Sequence, residues 1–497
     1  MESNKSAFSS LHPLNPNNLP EEAAKAISFL TNYYENIDKY PVRSQVEPGY
    51  LQKITPENAP NLPESLDQIL EDIETNIVPG LTHWQSPSFF AYFPASISNA
   101  AIVGDILCSG INVVGFNWIS SPAATELESI VTEWMAKLLN LPNDFLFSGG
   151  GGGVIHGTTC EAVVCTLAAA RDRVLDVVGE EKIGKLVVYA SDQTHFCFQK
   201  AAKLVGILPR NFRVISTSIS NDFALSPDDL KSAIEEDVKL GLVPLYICAS
   251  VGATASGAVD PIEGLGRVAR AFGAWLHVDA AYAGNACICP EHRQYLNGVE
   301  FADSISLNLH KWLLSNLECC CLWLKNPKLL VDSLSTNAEV LRNKDTDLGN
   351  VIDYKDWQIA LTRRFRALKL WIIIRRHGST NLMAHIRSDI ELSNYFESLM
   401  KKDPRFELVV PRKLSLVCFR LRPIDEDGNG NVMNQKLLEA VNSSGKAYMT
   451  HGVLGGTFAI RCVIGGTLTN KIHVDGLWTL LQQNASTLLS KNGKISP

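Results

Sequence analysis

Residues 304–315 read SISLNLHKWLLS: an apolar, β-branched run that stops on Lys311 and then resumes with Trp312, Leu313 and Leu314. Burying an ammonium is costly unless it is paired, neutralised or used. A lysine in apolar surroundings loses basicity and becomes a competent amine nucleophile for a carbonyl. Asp279 closes a second apolar run, LHVDAAYAG. A carboxylate there needs a cation or several donors, and a pyridinium nitrogen, a helix cap or a structural ion pair would all serve. His195, in SDQTHFCFQKAA, can hydrogen-bond locally or lay its flat ring on a planar group. The segment SGGGGGVIHGTTCEAVVCTLAAA (148–170) reads as a glycine-rich turn running into a helix. Thr158 and Glu161 stand there as a capping box, and the free N–H groups of such a terminus suit a phosphate. No lysine precedes the threonine pair and no GxGxxG register fits, which disfavours a Walker loop and a dinucleotide fingerprint.

These residues need elements that bring them together. KLVVYAS (185–191), VPLYICASVG (243–252), AWLHVDAA (274–281), SISLNLH (304–310) and CCCLWLK (319–325) read as buried strands. Helical stretches such as AATELESIVTEWMAKLLNL and PDDLKSAIEEDVKLG lie between or before them. Continuous apolar strands alternating with helices imply a largely parallel sheet covered on both faces. Ligands of such sheets sit beyond the carboxyl ends of the strands. His195, Thr254, Asp279 and Lys311 all fall at or just past strand ends, so they define one candidate site.

The rest of the chain frames that sheet. Residues 1–19, rich in Ser, Asn and Pro, read as a flexible lead-in. Residues 20–95 form an arm that opens with an amphipathic helix, PEEAAKAISFLTNYYENID, and continues as Pro-punctuated extended chain. The large domain spans 96–380. From 381 to 497 a helical segment and the strands FELVVP, LSLVCFRL and TFAIRCVI suggest a smaller antiparallel domain. Net charge is −7 with no long basic run, which argues against nucleic acid or an anionic membrane as partner. No secretory h-region and no apolar stretch of about 18 residues is visible. Twelve cysteines show no CxxC pair and no zinc-like spacing. No metal is expected, and the cysteines read as reduced core residues, with Cys319, Cys320 and Cys321 alternating between strand faces. A reducing, soluble compartment follows, most simply the cytoplasm.

A phosphate cradle, a strand-end Asp, a strand-end His and a strand-end Lys together are what pyridoxal 5′-phosphate requires. The sequence also resembles the group II pyridoxal phosphate decarboxylases, and among them the plant aromatic amino acid decarboxylases. The resemblance rests on HWQSPSFFAYFPAS, GFNWISSPAATELE, GGGVIHGTTCEA, SDQTHF, HVDAAYAG, NLHKWLL, DYKDWQIALTRRFRALKLW and IRCVIGGTLT. It implies a type I aminotransferase-like α/β fold, as a homodimer with shared active sites. Lys311 would be the Schiff-base lysine, Asp279 the partner of the ring nitrogen, and His195 the residue stacked on the ring. Thr159, Cys160, Thr254, Asn308 and His310 would surround the cofactor and its phosphate. Pro94, Ala95, Phe116 and Thr362 would shape the substrate pocket, some of them from the neighbouring subunit. Ala95 stands where some relatives have Thr. Thr362 stands where indole users tend to have Gly, which favours phenylalanine, tyrosine or dopa over tryptophan.

One departure matters. Between Lys311 and DYKDW lies a long polar segment that reads as a lid, LSTNAEVLRNKDTDLGNVI. Its family counterpart carries a Tyr that returns a proton to Cα after carbon dioxide leaves, and here Val340 holds that place. Relatives without the Tyr are aromatic aldehyde synthases, which consume dioxygen and release aryl acetaldehyde, carbon dioxide, ammonia and hydrogen peroxide. The resemblance therefore implies such an enzyme, with L-phenylalanine the first candidate substrate. An amine-forming decarboxylase of tyrosine or dopa is the alternative.

Overall fold

The apolar runs fall on a 7-stranded sheet in a computed structural model that describes residues 13–336, 339–341, 344–423 and 430–491. Its strands are β1 (Gly152–His156), β2 (Leu186–Ser191), β3 (Phe212–Ile215), β4 (Val243–Ser250), β5 (Trp275–Asp279), β6 (Ser304–Asn308) and β7 (Cys320–Leu324). Across the sheet the order is β1-β7-β6-β5-β4-β2-β3. β6, β5, β4, β2 and β3 are parallel, whereas β7 runs antiparallel to both its neighbours. A parallel return needs a crossover of a dozen or more residues, usually a helix. The link from β6 to β7 holds only the single helical turn Leu309–Trp312, so the chain doubles back.

The glycine run departs from its reading as a turn. Gly152 and Gly153 begin β1 and are buried. A Cβ on Gly153 would come within 2.7 Å of Thr132 Cβ and 2.8 Å of the Trp323 ring, so these glycines let β1 pass close to its neighbours. Only Gly157 and Thr158 turn the chain into the helix Thr159–Val178, whose N-cap is Thr158. The cap hydroxyl accepts from Glu161 N–H, and the Glu161 carboxylate accepts from Gly157 N–H at 2.9 Å, one residue before the cap.

Helices cover both faces of the sheet. Cys319 and Cys321 join the core on one face and Cys320 the core on the other, as strand alternation requires. All twelve cysteines are free and, Cys160 apart, buried. The helix Arg366–Lys401 leaves the large domain and bends at Gly378, whose φ of 65° suits glycine. It leads to a 4-stranded antiparallel sheet, order β10-β11-β9-β8, made of β8 (Phe406–Leu408), β9 (Leu416–Leu421), β10 (Thr450–Leu454) and β11 (Thr457–Val463). Phe396, Phe419 and Trp478 anchor its separate core. The arm opens with the helix Leu19–Glu35, which buries no residue in this chain. Further along, Phe90 N–H donates to Tyr448 O at 2.8 Å and Phe90 O accepts from Val463 N–H at 3.0 Å, pinning the arm to the small sheet.

Candidate active site

The parallel strands deliver Ser250, Asp279 and Asn308 to one edge of the sheet, where a cavity of about 230 Å³ opens. Its wall includes Thr159 and Cys160 from the N-terminus of the helix Thr159–Val178, and His195 and Cys197 from the loop and helix after β2. Thr254 comes from the loop after β4, and His310 and Lys311 from the link after β6. Eight residues named from the sequence thus meet in one cavity: Thr159, Cys160, His195, Thr254, Asp279, Asn308, His310 and Lys311.

The link bearing Lys311 is tied at both ends. Leu309 N–H donates to Cys319 O at 2.9 Å, and Cys319 N–H donates to His310 Nδ1 at 3.0 Å. His310 O accepts from Ser96 N–H at 2.9 Å. Lys311 Nζ lies 5.2 Å from the centroid of Phe93. Burial pulls the lysine pKa down, opposed by the negative charge of Asp279. Burial is the larger of the two influences, so the amine gives up its proton more readily than an ordinary lysine. Asp279 is buried and accepts from Ala281 N–H at 3.1 Å. His195 Nδ1 accepts from Cys197 N–H at 3.2 Å, which leaves Nε2 to carry the proton of the neutral ring. Burial also lowers the His195 pKa. Thr159 Oγ1 donates to Asn308 Oδ1 at 2.9 Å, joining the helix terminus to β6.

The other named residues lie elsewhere in the chain. Pro94 and Ala95 follow Phe93 but are not part of the cavity wall. Phe116 and Thr362 are likewise outside it, and Thr362 is exposed. Val340 belongs to the short turn Glu339–Leu341, and its side chain lies outside the described residues.

Several residues on or behind the wall escaped sequence reading. Phe93, Tyr282 and Trp312 form a stack, with centroids 3.8 Å apart for Phe93–Tyr282 and 4.9 Å for Tyr282–Trp312. Three distant segments contribute the rings, so no local pattern announces them. Arg461 could have been found: it interrupts the apolar run TFAIRCVI just as Lys311 interrupts SISLNLH. It is buried, lies 5.3 Å from the Phe93 centroid, and has no carboxylate at ion-pair distance among the described residues.

This donor set fits pyridoxal 5′-phosphate. The first N–H groups of a helix have no intrahelical partner, and Thr159 and Cys160 present theirs at the cavity. Ser250 Oγ, buried on the same wall, has no hydrogen-bond partner among the described residues. Helix terminus and hydroxyl would hold the phosphate, Asp279 the ring nitrogen and Lys311 the aldehyde carbon. When bound, the cofactor supplies a protonated ring that draws electrons away from Cα.

Cys160 gives this fit a direct chemical test. Its thiol is held down to about 6, first because the Cys197 thiol hydrogen-bonds to it, with the charge of Lys200 adding to the effect. Thiolates are the reactive form. Iodoacetamide at pH 7 is expected to label Cys160 first among the twelve cysteines of cofactor-free protein, and pyridoxal phosphate is expected to slow that labelling at least tenfold. Peptide mapping reads both. Labelling that begins at any other cysteine, or a rate at Cys160 indifferent to cofactor, would contradict the assignment.

Comparison with known proteins bears on the same site. Residues 48–422 match the family described as the pyridoxal-dependent decarboxylase conserved domain. The chain is 55% identical over 498 residues to Tyrosine decarboxylase 1 of Narcissus pseudonarcissus, covering 99% of this chain and 96% of that one. It is 56% identical over 485 residues to a phenylacetaldehyde synthase of a Rosa hybrid cultivar, covering 96% of each. The crystal structure of Rhodiola rosea 4-hydroxyphenylacetaldehyde synthase superposes with a TM-score of 0.91 at 53% identity, covering 96% of this chain and 99% of that one. Sequence match, shared fold and a cavity built around Lys311 and Asp279 agree: the chain belongs to the pyridoxal-dependent decarboxylases, carboxy-lyases whose cofactor is pyridoxal 5′-phosphate.

Proposed function

We propose that this enzyme converts an aromatic L-amino acid, L-phenylalanine first, with dioxygen and water into the aryl acetaldehyde, carbon dioxide, ammonia and hydrogen peroxide. The observation that carries the proposal is Val340, which by family resemblance replaces the proton-donating Tyr of the lid. Valine has no proton to give. Tyr354, the next tyrosine along the chain, and Tyr282, on the cavity wall, are engaged elsewhere: Tyr354 OH donates to Gly153 O at 3.0 Å and pairs with Ser129 Oγ, and Tyr282 OH pairs with Ser415 Oγ. With protonation slowed, the electron pair left at Cα is open to oxidation by dioxygen. A loss of ~3 kcal/mol on the protonation branch slows it over 100-fold, enough for the competing branch to dominate. The tyrosine decarboxylase relative supports the alternative outcome, an amine.

The side chains have separable tasks. Lys311 would offer its amine to the cofactor aldehyde. Asp279 would hold the ring nitrogen, and His195 would face the ring. Arg461 supplies positive charge near the cavity, complementary to the carboxylate of an amino acid. The helix Asn99–Ile111 exposes Val103, Ile106 and Ile111, and Arg364 Nη2, donating to Ser109 Oγ at 3.0 Å, ties it to the segment that exposes Ile359, Leu361 and Thr362. A second copy of the chain covering this apolar face would bring Phe116 and Thr362 to a shared pocket, and the homodimer is part of the proposal. Among the described residues no helix is long and apolar enough to cross a membrane, and the twelve free thiols suit a reducing cytoplasm.

The deciding experiment compares wild type with Val340→Tyr on phenylalanine, counting aldehyde, amine, peroxide and carbon dioxide. Wild type is expected to make aldehyde and peroxide in equal amounts. The variant should keep releasing carbon dioxide while its amine-to-aldehyde ratio rises at least tenfold and oxygen uptake falls. Amine without peroxide from the wild type would refute the oxidative assignment. An unchanged ratio in the variant would show that position 340 does not control it.

A further inference from the structure

Behind Lys311 the stack Phe93–Tyr282–Trp312 ends on a polar anchor. Trp312 Nε1–H donates to Asp389 Oδ2 at 2.7 Å, and both side chains are buried. His385 Nε2, one helical turn earlier, lies 3.5 Å from the same oxygen. Asp389 belongs to the helix Arg366–Lys401, beyond its bend at Gly378; it lies outside the cavity wall, where its charge also acts on Tyr282. The other end of the stack, Phe93, carries the Lys311 amine over its face. A bond from the anchor to the residue next to the lysine, and stacking from there to the ring beneath its amine, make one continuous path.

We propose that Asp389 is a positioning residue for Lys311: by fixing the Trp312 indole it holds the aromatic stack closed behind the lysine, and so keeps that amine dry and reactive toward the cofactor aldehyde. The inference rests on Lys311 being the cofactor-binding amine. Desolvation is the largest influence on Lys311, ahead of every charge facing it from Asp279, Cys197, Cys320 and Arg461. Loosening the stack would admit water, weaken that influence, and return the amine toward ordinary lysine behaviour. Burial pushes the Asp389 carboxyl up and the His385 ring down, and the indole needs from position 389 only an acceptor oxygen, which an amide also offers. An asparagine should therefore imitate it.

The test uses Asp389→Leu and Asp389→Asn. Full-length cofactor-free protein is mixed with pyridoxal phosphate from pH 6 to 10, and the rate at which borohydride traps cofactor at Lys311 is mapped by mass spectrometry. The rate reports the fraction of neutral amine without requiring turnover. For Asp389→Leu the pH midpoint should move up by about one unit, and trapping at pH values below the wild-type midpoint should slow roughly tenfold. Asp389→Asn keeps an acceptor for the indole and should restore the wild-type midpoint. A cooperatively folded Asp389→Leu with the wild-type midpoint would overturn the proposal. So would an Asp389→Asn profile as displaced as that of Asp389→Leu, because the acceptor alone would then not matter. If Asp389→Leu fails to fold, Trp312→Phe removes the same hydrogen bond from the other side. It should shift the midpoint in the same direction, and an unshifted midpoint would again overturn the idea. Trapping at a lysine other than Lys311 in the wild type would fault the cofactor assignment instead.

Discussion

Lys311→Ala is expected to abolish turnover, by on the order of 10⁴-fold or more, the scale reached when a nucleophile that works as part of a unit is removed. The protein should fold, yet borohydride should trap no cofactor on it. Its stability should carry a second signature. In the folded chain the Lys311 pKa lies below its ordinary 10.5. Between the lowered value and 10.5 the unfolded chain binds the extra proton, so cofactor-free wild type gains stability as pH rises through that window. The alanine variant should lack this gain. Denaturant unfolding at pH 7 and pH 10 measures the difference. Near-normal turnover by the variant, or an identical pH slope, would remove Lys311 from the site.

Asp279→Asn is expected to cost roughly 10²–10³-fold in turnover while leaving the fold nearly intact. The amide oxygen can still accept from Ala281 N–H, which now lies 3.1 Å from the carboxylate. What disappears is the negative charge that holds the ring nitrogen protonated. Each pKa unit lost there is worth ~1.4 kcal/mol, and two or three units account for the expected loss. The visible band of the bound cofactor should respond to pH differently from wild type. Equal turnover in the two proteins would show that Asp279 does not serve the ring.

The chemistry of this site was more legible than its walls. Strands end where apolar runs meet polar residues, and that rule located His195, Thr254, Asp279 and Lys311 on one edge before any geometry was known; Asn308 came from the family resemblance. The helix Thr159–Val178 was legible from its cap. The glycine run before it was not, because a strand without side chains carries no periodicity, and β1 was read as a turn. β3 was missed for another reason: Phe212–Ile215 is a partly exposed edge strand without a continuous apolar signature. The aromatic stack joins residues 93, 282 and 312, a coincidence of topology that no sequence window contains. Phe116 and Thr362 stand apart from the cavity of their own chain, and only the family resemblance, not the residues themselves, linked them to a pocket.

The antiparallel return of β7 has a thermodynamic consequence. Because Cys319 grips both Leu309 and His310, the turn Leu309–Trp312 is already shaped when the cofactor arrives. Ordering a flexible backbone costs about 1–2 kcal/mol per residue, and a lysine on a loose loop would draw that from its own binding energy. Here the sheet has absorbed the cost during folding. Cofactor capture should therefore show little of the heat-capacity change that accompanies coupled folding, and the amides of Leu309 and Cys319 should exchange with solvent as slowly in the cofactor-free protein as in the loaded one.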